Sequence, residues 1–144
     1  MKPRLSVLTL GVDDLEKSVA FYRDGLGLVT PGIVGTEFEH GAVAFFDLQG
    51  GLKLALWPKS SLLHDSGLPN RPRGVGDFSL GHNVRTREEV DTVVAQVQAA
   101  GGRIVKPAMD TFYGGYAAYF HDLDGHLWDY IWMDPAATAA PPDR

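Results

Sequence analysis

At 144 residues the chain has the length of one ordinary domain, and 44% hydrophobic against 22% charged residues is the balance of a folded globular protein. A formal net charge of -5 argues against nucleic acid or an anionic membrane as partner, since both require clustered Lys and Arg. With no cysteine, disulfide scaffolds, thiolate metal sites and cysteine nucleophiles are excluded, so a transition-metal site would have to be built from His, Asp or Glu.

In chain order, the opening MKPRLSVLTL lacks the apolar run of a signal peptide or membrane helix, so a cytoplasmic address is expected. Leu5 to Val12 alternates and reads as a strand. A helix follows, with Asp13 as N-cap, Glu16 as its capping partner, an apolar face of Leu15, Val19, Tyr22 and Leu26, and a stop at Gly25 and Gly27. Strands are predicted at Leu28 to Thr30, around Phe38 to Leu48, and at Leu52 to Trp57. Residues 59–75, rich in Pro, Gly, Ser and Asn, read as a surface connection.

The pattern then restarts. Phe78 to Val84 reads as a strand, and Thr86 with Glu89 forms a capping box. Val90, Val93, Val94, Val97 and Ala100 make an apolar stripe that ends at Gly101 and Gly102. Strands follow from Ile104, from Tyr116 to His121 and from His126 to Met133, and residues 135–144 read as a flexible tail.

The two halves align. Val12 meets Val84 at an offset of 72, and AFFDLQGGLKLALW from Ala44 meets AYFHDLDGHLWDYI from Ala118 at an offset of 74, which sets Ala55 against Asp129. Each half reads strand, helix, three strands. One domain over 1–134 is expected, with modules at about 4–58 and 76–134.

DLEKSVAFYRDGLGL at residues 14–28 together with DLDGHLWDYIW at residues 122–132, in two βαβββ halves, resembles the glyoxalase, bleomycin-resistance and extradiol-dioxygenase group, the vicinal oxygen chelate superfamily. The resemblance implies an α+β fold in which two βαβββ modules form a cup-shaped, curled mixed sheet flanked by helices. It also implies a divalent-metal site in the catalytic members, whose four ligand positions fall here on Val7, Ala55, Ser79 and Asp129. Three of those have no ligating side chain worth the name, so no cofactor and no metal ligand set is expected, although a divalent metal stays possible. A register slip of one residue would substitute Leu8, Leu54 or Leu56, Phe78 or Leu80, and Trp128 or Tyr130, none of them a ligand.

Alternation then turns Thr9, Gly11, Lys53, Trp57, Gly81, Asn83, Ile131 and Met133 toward the cup with those four, and Phe112, Tyr113 and Tyr116 in TFYGGY are expected near a ligand. The lining is mostly apolar with a few polar groups, the mixture a small-molecule pocket uses. Trp57 offers a flat face to a planar or cationic ligand. Asp129 pairs with Lys53, acts as a general base, or serves as a structural hydrogen-bonding group. His82 is expected to be a core histidine, His40 and His64 to be surface histidines in or near loops without companions at ligand spacing, and His121 and His126 to cap the turn between them. Three functions stay open: metal-free binding of an aromatic or cationic small molecule; a glyoxalase-like lyase or isomerase that uses an unusual metal site or Asp129; and an interface module, in which a homodimer completes the cup.

Overall fold

The alternating segment at the start of the chain forms β1 (Val7–Val12) in a computed structural model that describes residues 1–74 and 76–136. Leu10 and Val12 are buried on one face of β1, and α1 (Leu15–Ala20) follows. The N-cap is Asp14 rather than Asp13: its carboxylate accepts from Lys17 N at 3.0 Å, while Asp13 pairs with Arg73 at 2.8 Å. Glu16 therefore sits in the first turn without its expected capping role. From Phe21 to Gly25 the helix widens into a π-turn. The extra residue per turn rotates Phe21 inward beside Tyr22, so both are buried, and Leu26 is only half-buried.

The predicted strand at Leu28 to Thr30 does not form. Pro31 brings no N–H and Gly32 turns the chain at φ 99, so pairing begins later, at β2 (Ile33–Val34). Thr30 is tied to the sheet by its hydroxyl, which donates to Phe45 O at 2.6 Å. β3 (Val43–Asp47) and β4 (Lys53–Pro58) complete an open sheet of order β1-β4-β3-β2, with β1 and β4 parallel. Ala44, Phe46, Leu54 and Leu56 join Leu10 on the helix-facing side, each at most 2% exposed, and Tyr22 meets the Phe46 ring edge-on at 6.2 Å. The expected connection begins with α2 (Lys59–Ser66), stopped by Gly67. Only Ser61 of this helix is buried, so its sequence has no apolar stripe to betray it.

The second half repeats the order with β5 (Leu80–Val84), α3 (Arg87–Ala99), β6 (Arg103–Asp110), β7 (Gly115–His121) and β8 (Leu127–Met133). The capping box at α3 is present: Thr86 Oγ1 accepts from Glu89 N at 3.2 Å, and Glu89 Oε2 accepts from Arg85 N at 3.0 Å. Val90 and Val97 are fully buried, and the helix closes at Gly101, φ 94, where Gly102 N donates to Val97 O at 2.9 Å. The sheet order β5-β8-β7-β6 reproduces the first, again with its first two strands parallel. Thr9 faces Ala55 across β1 and β4, and Gly81 faces Asp129 across β5 and β8, the pairs that the offsets of 72 and 74 equate.

The fold is thus α+β, built from two βαβββ modules. The chain divides into compact units of Met1–Arg73 and Gly74–Arg144. Among the described residues no helix is long and apolar enough to cross a membrane. The tail expected over 135–144 falls outside the described residues from position 137 onward.

Candidate functional site

Strand alternation sorts the predicted residues of the second unit. Register sets Tyr119 and Gly81 on either side of Asp129, Ala117 and Asn83 on either side of Ile131, and Gly115 opposite Met133. These side chains share the sheet face turned away from α3. Asp129 is 9% exposed and Ile131 5%, whereas Asn83 and Met133 are half-buried. Ser79 lies just before β5 and is exposed.

The absence of a side chain at Gly81 is what leaves space in front of the carboxylate: a Cβ built there would stand 3.1 Å from Asp129 Oδ1. Tyr119 is the residue that the sequence reading left out. Its hydroxyl is held above the ordinary tyrosine range first by burial, then by the negative charge of Asp129, then by Tyr113. Counting back and forth across the 122–125 turn from Asp129 would have identified Tyr119 as its cross-strand neighbour. Asp129 and Tyr119 together present an acceptor and a protonated donor on a face shared with Ile131, Ala117, Met133, Asn83 and two glycines.

The remaining aromatic candidates separate from this face. Phe112 is fully exposed, with its ring edge-on to Tyr113 at 5.0 Å. Tyr116 belongs to the opposite face, with Trp132: its hydroxyl donates to Asp91 Oδ1 of α3 at 2.6 Å, and the Arg87 guanidinium lies 4.2 Å over its ring. Arg87 also pairs with Asp110 at 2.9 Å. One reading of TFYGGY as a pocket rim therefore divides, because a strand begins at Gly115 and alternation sends Tyr116 to the helix side.

In the first unit Val7, Thr9, Lys53, Ala55 and Trp57 share the face away from α1, with Ala55 2% exposed and Val7 41% exposed. Lys53 has a partner on its own sheet. Its ammonium donates to Asp47 Oδ1 at 2.6 Å, directly across β3 and β4. Trp57 is half-buried and donates its indole N–H to His40 O at 2.9 Å.

The histidine readings also change. His82 is exposed and stacks on Tyr130 at 4.4 Å instead of sitting in the core. His40, in a loop, and His64, in the last turn of α2, stack on each other at 4.2 Å. The turn after β7 is capped by Asp122, whose Oδ1 accepts from Asp124 N at 2.9 Å and His126 N at 2.8 Å, so a carboxylate rather than an imidazole organises it.

The four positions that the resemblance gives to a divalent metal carry few donors. Val7 and Ala55 bring no donor to the first unit's face, and the second has one carboxylate and the exposed hydroxyl of Ser79. Among the described residues no group of three or more His, Cys, Asp or Glu is placed to hold a metal ion.

The model of the Glyoxalase/Bleomycin resistance protein/Dioxygenase superfamily matches residues 4–130. Among solved structures, a glyoxalase-related enzyme from Fulvimarina pelagi is 31% identical over 99% of each chain, with a TM-score of 0.80. The fosfomycin resistance protein FosX from Listeria monocytogenes is 25% identical, covering 95% of this chain and 98% of its own, with a TM-score of 0.68. Lactoylglutathione lyase from Agrobacterium tumefaciens shares the fold at 23% identity and a TM-score of 0.64, over 92% and 95% of the two chains. No curated protein matches the chain.

Proposed function

The chain belongs to the Glyoxalase/Bleomycin resistance protein/Dioxygenase superfamily, and from that premise we propose that it binds a small aromatic or cationic molecule without the divalent metal used by catalytic relatives. One observation carries the reading. Asp129 stands between Gly81 and Tyr119 on an apolar sheet face, while the positions equated with it by the repeat and the resemblance hold Val7, Ala55 and Ser79. A carboxylate so placed attracts a cationic or N–H-bearing group. Tyr119 supplies a donor, and Ile131 with Ala117 supplies apolar area for a flat ligand body.

The burial of Asp129 beside a protonated Tyr119 favours a second reading, a glyoxalase-like lyase or isomerase in which Asp129 moves the proton. In that reading the Asp129 carboxylate takes the proton and Tyr119 steadies a developing oxyanion.

The test uses bleomycin, a cationic and aromatic drug, with fosfomycin as an anionic counter-probe. Tryptophan fluorescence is followed in the presence of chelator and then of added manganese, and turnover of the hemithioacetal of methylglyoxal and glutathione is measured in parallel. Saturable bleomycin binding unaffected by chelator, with no turnover, is the expected outcome. Turnover that appears only with stoichiometric metal refutes the binding reading; metal-independent turnover abolished by Asp129→Asn selects the second.

A further inference from the structure

A cleft of about 880 Å³ lies within the Met1–Arg73 unit, between α2 and the loop that precedes β3. His40 forms part of its wall and is the single non-glycine residue with positive φ among the described residues, at φ 57. That conformation costs free energy for any residue with a Cβ, and the surroundings hold it from three sides. Its carbonyl accepts from Trp57 Nε1 at 2.9 Å, its Nδ1 lies 3.0 Å from the buried Ser61 hydroxyl, and its ring stacks on His64 at 4.2 Å with an interplanar angle of 18°. The ring is half-buried and fills no core position, so packing alone does not account for a histidine where glycine would be unstrained.

The charges in the cleft are arranged with one sign in excess. Asp13 is the acidic residue in its lining, and Arg73 pairs with it at 2.8 Å while also donating to Gly11 O at 2.7 Å. Lys59 donates to Arg71 O at 2.7 Å, which holds the 70–72 segment against α2, and both residues line the cleft. Leu63, Leu68 and two prolines line an adjoining hollow of about 280 Å³ together with Lys59, Arg71 and Arg73, so apolar surface and positive charge lie side by side there. A ligand matching such a lining carries a negative group on a flat apolar body.

We propose that this cleft is a second ligand site, which takes a small aromatic carboxylate. The carboxylate meets Lys59 and Arg71, and the ring lies against the stacked His40 and His64 and the leucines. None of these residues lies on the sheet face that carries Asp129, so the two sites stand or fall separately.

The full chain is titrated with benzoate and followed by amide and indole NMR, the Trp57 indole signal being identified with Trp57→Phe. Saturable shifts are expected at Trp57 and His64. Benzyl alcohol, lacking the charge, and inorganic phosphate, lacking the body, are each expected to bind roughly tenfold more weakly or worse. Arg71→Ala weakens benzoate by roughly tenfold. His40→Gly removes the ring and relieves the strained backbone, so it weakens benzoate while the melting temperature holds or rises. Benzyl alcohol or phosphate binding as tightly as benzoate, shifts centred on Asp129 and Ile131, full affinity in His40→Gly, or no saturable shift up to the solubility limit would each overturn the proposal.

Discussion

Replacing Tyr130 by Phe tests the strand register on which the Asp129 site depends. Tyr130 and Asp129 are adjacent on β8, so one must lie on the helix side when the other faces away. Tyr130 stacks on His82 at 4.4 Å and meets the fully buried Phe120 at 5.9 Å, and burial pushes its hydroxyl from 10.0 up to about 12. Below pH 10 the phenol is neutral in the folded and unfolded chains alike. Between pH 10 and about 12 the unfolded chain releases a proton that the folded chain retains, so stability falls as pH rises, and the loss is complete above about 12. At ~1.4 kcal/mol for each pH unit of displacement the total is at most about 3 kcal/mol. Urea unfolding of the parent and Tyr130→Phe proteins across that range, with phenolate absorbance followed at the same pH values, measures it. The parent should lose stability more steeply, and a tyrosine step near pH 12 should be missing from the variant. Equal slopes, or loss from the variant of a step near pH 10, would mean that Tyr130 is solvated and that β8 presents the other face.

Asp129→Asn removes the second cause of the high Tyr119 pKa, so Tyr119 should ionise at lower pH than in the parent; an unchanged phenolate titration would separate the two residues. Gly81→Ala places a methyl 3.1 Å from Asp129 Oδ1. The gain from a less flexible unfolded chain, about 0.5–1 kcal/mol, offsets that close contact. The melting temperature should move little while bleomycin binding weakens by roughly tenfold, the usual cost of blocking one charged contact. Unchanged binding would remove the space before Asp129 from the site. Thr86→Ala deletes the side-chain acceptor for Glu89 N and should cost about 1 kcal/mol, roughly 2–5 °C in melting temperature, without altering ligand binding.

The two-module organisation was legible because its signals are local. Thr86 and Glu89 are three residues apart, the valines of α3 recur on one helical face, and Gly101 ends the stripe; each needs only neighbouring residues to act. The equivalence of Ala55 and Asp129 was legible for a related reason: the repeat carries register from one half to the other, and the pairing of Thr9 with Ala55 and Gly81 with Asp129 follows it. The helix α2 was not, since it buries one serine and has no apolar period. The π-turn at Phe21 to Gly25 was missed because a 3.6-residue period assumes the regular helix that this turn interrupts.

The stretch from Tyr119 to Trp132 marks the boundary between the two kinds of information. Sequence by itself determined the turn at Asp122 to Gly125, the alternation on either side of it and the single carboxylate at Asp129, because backbone preference and period-two geometry act over a few residues. Which residues meet across strands was decided by the tertiary structure. Tyr119 came to face Asp129, Lys53 was drawn to Asp47, Tyr116 turned to α3, and His40 was fixed in a left-handed conformation between Trp57, Ser61 and His64. Partner choice depends on distances of a few ångströms between segments remote in the chain, and a one-dimensional pattern does not encode those distances.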